Sequence, residues 1–140
     1  METVKIRCKD LCVGDWVANR NGSPMQIVAV DEDNAYACEG NEAYACEGNE
    51  ERPWIFGDDE GYEPQPIILT PEILEKNGWK DDGLWYEYQD GTNTIQSCLP
   101  DMRGIINGIE IKEFQCKYVH QYQHLLRLCG LNELADNFKI

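Results

Sequence analysis

The first third of the chain alternates hydrophobic and polar positions in short runs that predict β-strands. In "DWVANRNGSPMQIVAVDED" two such runs, at 16–20 and 25–30, flank an Asn-Gly step. Asparagine followed by glycine favours a tight hairpin because both residues tolerate positive φ. The stretches "LWYEYQDGTNTIQSCL" and "GIINGIEIKEF" repeat this arrangement around an Asp-Gly and a second Asn-Gly step. The pattern predicts several antiparallel strand pairs.

Two segments carry helical signals instead. In "LTPEILEKNGW", Thr70 is a good N-cap, Pro71 suits the first helical position and Gly78 supplies a left-handed stop, which predicts a short helix at about 71–77. The 3.6-residue period of "QCKYVHQYQHLLRLC" predicts an amphipathic helix at about 115–129. The tail after this helix is expected to return as a short edge strand. The fold class is therefore α+β, a small SH3-like or strongly bent antiparallel sheet with one short helix and a covering C-terminal helix.

An octapeptide, "AYACEGNE", occurs twice in succession at 35–50. Each copy joins a short alternating run to a polar turn with glycine, and eight is an even number, so an inserted copy leaves every side chain on its original face of a strand. Solenoid repeats are longer and need about three copies. We interpret the repeat as a tandem duplication in a surface hairpin without its own function. It lies in an acidic hairpin or loop insertion at about 31–63 of a single domain, 1–140.

Charge is the strongest compositional signal. The chain of 140 residues has 26 acidic and 12 basic side chains, a net charge of −14. Residues 31–63 hold twelve acids and one base, which gives −11. Because phosphate binding requires clustered Lys and Arg, direct nucleic-acid binding is disfavoured. The acidic triplets at 31–33 and 58–60 lack the glycine that a calcium-binding loop needs at its sixth position.

The seven cysteines are odd in number and irregular in spacing, and no C-x-x-C pair occurs. This is not a disulfide framework, so we expect reduced thiols in a cytoplasmic protein. No apolar run approaches the roughly 20 residues that span a bilayer, and the first residues do not read as an export signal. The sequence thus predicts no membrane association.

The predicted C-terminal helix carries the candidate site. At 100° per residue its polar side chains fall on one face, which we expect to be exposed and to contact a partner through His120, Gln123, His124 and Arg127. Cys116, His120 and His124 follow at four-residue spacing, but all three cannot reach one ion along a helix, so we expect no metal site and no cofactor. An exposed helix face also lacks the oxyanion site that a Cys116–His120 nucleophile would need, so we expect no catalytic residue.

Three stretches resemble a family of small uncharacterised bacterial and prophage proteins: "KDLCVGDWV", "IILTPEILEKNGW" and "KYVHQYQHLLRLCG". The V-H-x-x-Q-x-L pattern that begins at Val119 is the most specific of them. The resemblance implies a bacterial cytoplasm and a mobile-element context, and it implies no reaction, cofactor or binding residue. The opening strands also resemble SH3-like barrels and, more distantly, Hint domains, whose first-residue nucleophile and histidine block are lacking here.

The sequence favours a non-enzymatic module that binds another protein, in an oligomeric state that it does not specify. Two alternatives stay open. The concentrated negative charge also suits an acidic inhibitor that mimics a nucleic acid toward a host protein. The SH3-like opening also suits a nucleic-acid-associated module.

Overall fold

The computed structural model describes residues 6–39, 54–59, 62–81, 83, 85–90, 93–98, 103–106, 109–115 and 117–140. Its strands form two antiparallel sheets, and three α-helices and a short 3-10 helix at Cys8–Asp10 accompany them. The α+β class, with a short helix and a C-terminal helix, is confirmed. The antiparallel strands divide between two sheets, where the sequence pattern suggested one.

The first sheet has the order β1-β2-β3-β4, with β1 at Trp16–Ala18, β2 at Pro24–Val30, β3 at Ala35–Glu39 and β4 at Trp54–Phe56. The turn between β1 and β2 contains Gly22 at a φ of 82°, as the Asn-Gly step predicted. The Asn19 side chain stabilises this turn, because its amide oxygen accepts hydrogen bonds from the backbone N–H groups of Asn21 and Ser23. Ile27, Ala37 and Phe56 contribute to the core of this sheet.

The second sheet has the order β5-β6-β7-β8-β9. Its strands are β5 at Lys80–Asp81, β6 at Tyr86–Asp90, β7 at Asn93–Cys98, β8 at Arg103–Ile106 and β9 at Ile109–Gln115. The two predicted hairpins are confirmed as the antiparallel pairs β6–β7 and β8–β9. The sequence pattern succeeded here because turn residues and strand residues alternate locally.

The helices are α1 at Pro71–Lys76, α2 at Val119–Leu128 and α3 at Asn132–Asp136. At α1 the predicted cap is confirmed, since the Thr70 hydroxyl accepts a hydrogen bond from the Ile73 N–H. Behind α1 lies a core in which Trp79, Tyr122 and Phe138 contact one another edge to face, with ring centroids 5.7 to 6.1 Å apart. This core joins α1, α2 and α3.

Two boundaries differ from the prediction. The C-terminal helix begins at Val119, four residues later than expected, because residues up to Gln115 belong to β9. The tail forms α3, where an edge strand was predicted. Burial of Leu131, Ala135 and Phe138 against the core explains this difference, because these residues recur at helical spacing.

Residues Ala35–Glu39 of the first octapeptide copy form β3, which lies between β2 and β4. Ala35, Ala37 and Cys38 are buried in this strand, so the described part of the first copy lies within a sheet and not in a surface hairpin. Small alanines fit there because the strand is covered by neighbouring side chains. The second copy, 43–50, lies outside the described residues.

Cys38 is disulfide-bonded, which departs from the expectation of reduced thiols, whereas Cys8, Cys12 and Cys129 are free. Burial raises the pKa of the Cys8 thiol to about 11, and the negative charge of Asp58 adds to this shift. Cys8 is therefore a protonated core residue at neutral pH.

Candidate polar site between the first strand and the C-terminal helices

The polar face of α2 meets the loop that precedes β1. Gly14 makes this approach possible, with a φ of +95° and with Arg127 Nη2 only 3.1 Å from the position that a Cβ would take. Any side chain at this position would strain the backbone and displace Arg127. The close approach places Asp15, which is fully buried, against α2.

The carboxylate of Asp15 is hydrogen-bonded through both oxygens. Oδ1 accepts from Arg127 Nη1 at 2.5 Å, and Oδ2 lies 2.5 Å from His124 Nε2. The backbone N–H of Cys12 also donates to Oδ2, at 2.8 Å. Three groups thus converge around one buried carboxylate, which is the arrangement that a buried carboxylate requires.

Arg127 connects this carboxylate to α3. Its Nη2 lies 3.2 Å from Asp136 Oδ1 and 3.2 Å from the Val13 carbonyl oxygen. Asp15 is buried while Asp136 is 56% exposed, so the guanidinium joins an interior and a surface carboxylate. We expect the interior pair to matter more for stability, because solvent screens the outer one.

Gln123 is a second buried polar residue at the place where α2 meets the loop before β1. Its Oε1 accepts from the Trp16 N–H at 2.9 Å, and its Nε2 donates to the carbonyl oxygens of Gly14 and Ala135 at 2.7 and 2.9 Å. One side chain therefore satisfies three backbone groups, from the β1 segment and from α3. Gln123 fixes the position of α2 between them.

His120 lies one turn before His124 and is only 7% exposed. The two rings meet edge to face with centroids 5.8 Å apart. Burial lowers the pKa of His120 to about 4, the positive charge of His124 adds to this effect, and Asp15 opposes it. The buried Nδ1 of His120 has no hydrogen-bond partner in the described part of the chain.

The predicted exposed face of α2 is therefore wrong for His120 and Gln123, which are buried, and only partly right for His124 and Arg127, which are half-buried. Their role in binding a partner stays a prediction. Cys116 lies outside the described residues. Cys12 and Asp15, which complete the cluster, were missed because they are more than 100 residues away along the chain.

The cluster contains a thiol, an imidazole and a carboxylate, with ligand atoms of Cys12, Asp15 and His124 all within 4.8 Å of one another. This composition raises the question of a cysteine nucleophile. Burial raises the pKa of the Cys12 thiol, and Asp15 adds to the shift while Arg127 opposes it. A nucleophilic cysteine needs a lowered pKa, so the arrangement does not activate this thiol.

The acidic triplets have structural contacts rather than the geometry of a calcium loop. Asp31 Oδ1 accepts hydrogen bonds from the N–H groups of Asp33 and Asn34, and Oδ2 accepts from the Tyr36 hydroxyl. These contacts close the turn between β2 and β3. Asp58 Oδ1 accepts from the Cys8 N–H at 3.0 Å and so holds the N-terminal segment.

A separate concave surface lies beside β4, the last strand in the order of the first sheet. We call it the β4 groove. Its volume is about 100 Å³, and it is lined by Arg20, Trp54, Ile55, Phe56, Tyr62 and Glu63. The guanidinium carbon of Arg20 lies 5.7 Å from the centroid of the Trp54 ring, a cation–π contact.

No protein-family profile, curated protein or solved structure matches the chain. Among the described residues, no helix combines the length and the apolar character that crossing a bilayer requires.

Proposed function

We propose that this protein is a non-enzymatic interaction module of the bacterial cytoplasm, and that the β4 groove binds an extended, basic segment of a protein partner. The observation that carries the proposal is the aromatic lining of the groove, to which Trp54, Phe56 and Tyr62 contribute. Tryptophan and tyrosine, with arginine, are enriched among the residues that dominate binding energy at protein interfaces.

The apolar surface of the groove supports this role. Ile55 is 55% exposed and Tyr62 is 60% exposed, which is unusual for side chains of this size beside a strand. β4 pairs with β3, and in the described ranges no other strand pairs with it. An extended peptide can add to such an edge through backbone hydrogen bonds while its side chains enter the neighbouring groove.

The size of the groove favours a peptide side chain over a small substrate. Sites for small molecules usually measure about 300 to 1,000 Å³, and this groove is about 100 Å³. Its titratable lining groups are Arg20, Tyr62 and Glu63, which do not constitute a nucleophile with an adjacent base. A single anchoring side chain fits this space.

Charge favours a basic partner. The turn that follows β4 carries Asp58 and Asp59, and its backbone bonds to Tyr62. Among the described residues of this region, Asp58, Asp59 and Glu63 provide three carboxylates and Arg20 provides one guanidinium. Residues 31–63 as a whole have a charge of −11. Such a field attracts Lys- and Arg-containing segments and raises the rate of encounter.

The test is selection from a display library of random extended peptides, followed by fluorescence anisotropy with one selected peptide. We expect enrichment of peptides that combine Lys or Arg with apolar residues. Ile55→Asp and Tyr62→Ala should each weaken binding about fivefold or more, since the loss of a contact that dominates binding costs over 1 kcal/mol. Leu128→Ala is the matched control, because Leu128 is 69% exposed on α2 and should leave affinity unchanged.

The same assay separates this proposal from an acidic mimic. Glu63→Lys should weaken binding mainly at low salt, because screening removes the contribution of an exposed charge. Binding that depends on the acidic residues but not on Ile55 or Tyr62 would favour the mimic. Failure to select any peptide, or affinity unchanged in both groove variants, would contradict the proposal.

A further inference from the structure

The geometry points to a second site, remote from the β4 groove: we propose that Cys12, Asp15 and His124 bind one Zn²⁺ ion, with a water molecule as the fourth ligand. The sulfur, carboxylate and imidazole atoms of these residues lie within 4.8 Å of one another. No metal ion is needed for the peptide-binding proposal, so the two stand independently.

The donor set selects the kind of metal. Thiolate and imidazole are ligands of borderline-soft ions, and Zn²⁺ accepts sulfur, nitrogen and carboxylate oxygen in one tetrahedral shell. Ca²⁺ and Mg²⁺ prefer shells made of oxygen, which a cysteine and a histidine cannot supply. Three protein ligands with one open position is a common zinc arrangement.

The charges around the cluster permit a cation despite the presence of Arg127. The guanidinium contacts both Asp15 and the exposed Asp136, so a second carboxylate balances it. Zn²⁺ with the Asp15 carboxylate, a Cys12 thiolate, Arg127 and Asp136 sums to zero. Arg127 bonds to Oδ1 of Asp15, which leaves Oδ2 directed toward His124 and available to a metal. The hydrogen bond from Arg127 to Oδ1 is an outer-shell contact of the kind that orients metal-binding carboxylates.

Metal binding requires one small adjustment. Two ligand atoms on a tetrahedral zinc are separated by about 3.3 Å, given bonds of about 2.0 Å, whereas Asp15 Oδ2 and His124 Nε2 are 2.5 Å apart. The ion therefore replaces the proton between them, and the ring must withdraw by roughly 1 Å. His124 is free to do so because 29% of its side chain is exposed, while Asp15 is held by the Cys12 N–H and Arg127.

The tertiary structure also brings together metal ligands that are far apart in the sequence. His120 and His124 have the i, i+4 spacing of a helical metal site, but a complete site needs further ligands from elsewhere in the chain. The loop before β1 brings Cys12 and Asp15 to His124. Cys12 is exposed, so an ion can reach the cluster from solvent.

The test is titration of the metal-free full-length protein, with the Cys38 disulfide intact and Cys12 free, with Co²⁺, a spectroscopic substitute for Zn²⁺. We expect a thiolate-to-cobalt absorption band that saturates at one equivalent and disappears when Zn²⁺ is added. Cys12→Ser should abolish the band, and His124→Ala should weaken Co²⁺ binding by at least tenfold. Cys129→Ser is the matched control, since Cys129 is also a free, exposed cysteine, and it should keep the band.

The melting temperature gives a second measurement of metal binding, independent of the cobalt absorption band. Saturating Zn²⁺ should raise the melting temperature of the unaltered protein and of Cys129→Ser, but not that of Cys12→Ser, because a ligand that binds the folded state stabilises it. Circular dichroism would show that the Cys12→Ser variant is folded before titration. Absence of a thiolate band, or a band of full intensity in Cys12→Ser, would overturn the proposal.

Discussion

The side-chain oxygen of Gln123 accepts a hydrogen bond from the backbone N–H of Trp16 at 2.9 Å, joining residues 107 positions apart. The same side chain donates to two backbone carbonyl oxygens, and all of these atoms are buried. Loss of the amide would leave the buried Trp16 N–H without this acceptor, whereas the Gly14 carbonyl oxygen keeps a contact from the Gln26 side chain and the Ala135 carbonyl oxygen keeps one from the Phe138 N–H. A buried donor without a partner costs about 1 to 3 kcal/mol.

We therefore expect Gln123→Leu, which keeps the volume but removes the hydrogen bonds, to lower the free energy of unfolding by about 2 to 3 kcal/mol. Urea denaturation measures this. Gln121→Leu is the matched control on the same helix. Gln121 accepts from the Lys117 and Tyr118 N–H groups at the helix start, and loss of such a cap costs about 1 kcal/mol. Equal losses in the two variants would contradict a special role for Gln123.

The ion pairs of Arg127 give a second prediction. Arg127→Leu leaves Asp15 buried with one cationic partner fewer, and removal of one member of a buried pair costs about 3 to 5 kcal/mol. Asp136→Asn removes only the exposed pair, which is worth about 0 to 1 kcal/mol. Thermal denaturation should show a loss of about 10 °C or more for Arg127→Leu and a small change for Asp136→Asn. A comparable change in both variants would argue against the interior pair as the stabilising one.

The sequence predicted the elements whose signals are local. The hairpins and α1 follow from turn residues and from the cap at Thr70, which lie within a few positions of what they specify. The hydrogen bonds that Gln123 makes to the loop before β1 and to β1 were not predictable in this way. A helical pattern places Gln123 toward water, because its partners at Gly14 and Trp16 are backbone groups from the other end of the chain. α2 packs against the hydrophobic core on one side and against the loop before β1 on the other. An amphipathic pattern predicts only the first of these contacts.

His120 gives a third prediction, which concerns pH. Burial lowers the pKa of His120 from 6.5 in the unfolded chain to about 4 in the folded protein. Between these values the unfolded chain binds a proton that the folded protein does not, so acidification favours unfolding. Stability should be fully present above pH 6.5, fall with decreasing pH and level off below pH 4. The total loss is about 3 kcal/mol, given 1.36 kcal/mol for each unit.

His120→Phe isolates this contribution, because phenylalanine fits a similar space and does not titrate. Both proteins share the effects of their carboxylates and of His124 and Asp15, which are the charged groups that influence His120. With EDTA present to exclude metal, the difference in unfolding free energy should stay constant from pH 7 to 8. It should then shift in favour of the variant below pH 6.5. Parallel pH profiles would show that His120 is not the responsible group.

The duplicated octapeptide gives a fourth prediction, which compares identical residues in its two copies. Ala37 is fully buried in β3, where it lies opposite Ile27 of β2 and Trp54 of β4. Ala37→Asp places a charge in that interior and should lower the free energy of unfolding by over 3 kcal/mol, because Ala37 is buried in the apolar core of the first sheet. Ala45→Asp makes the same change at the equivalent position of the second copy, 43–50. From the sequence we expect that copy to be dispensable, and so Ala45→Asp and deletion of 43–50 should both change the melting temperature little. If either change lowers the melting temperature as much as Ala37→Asp does, the second copy is part of the fold and not a tolerated insertion.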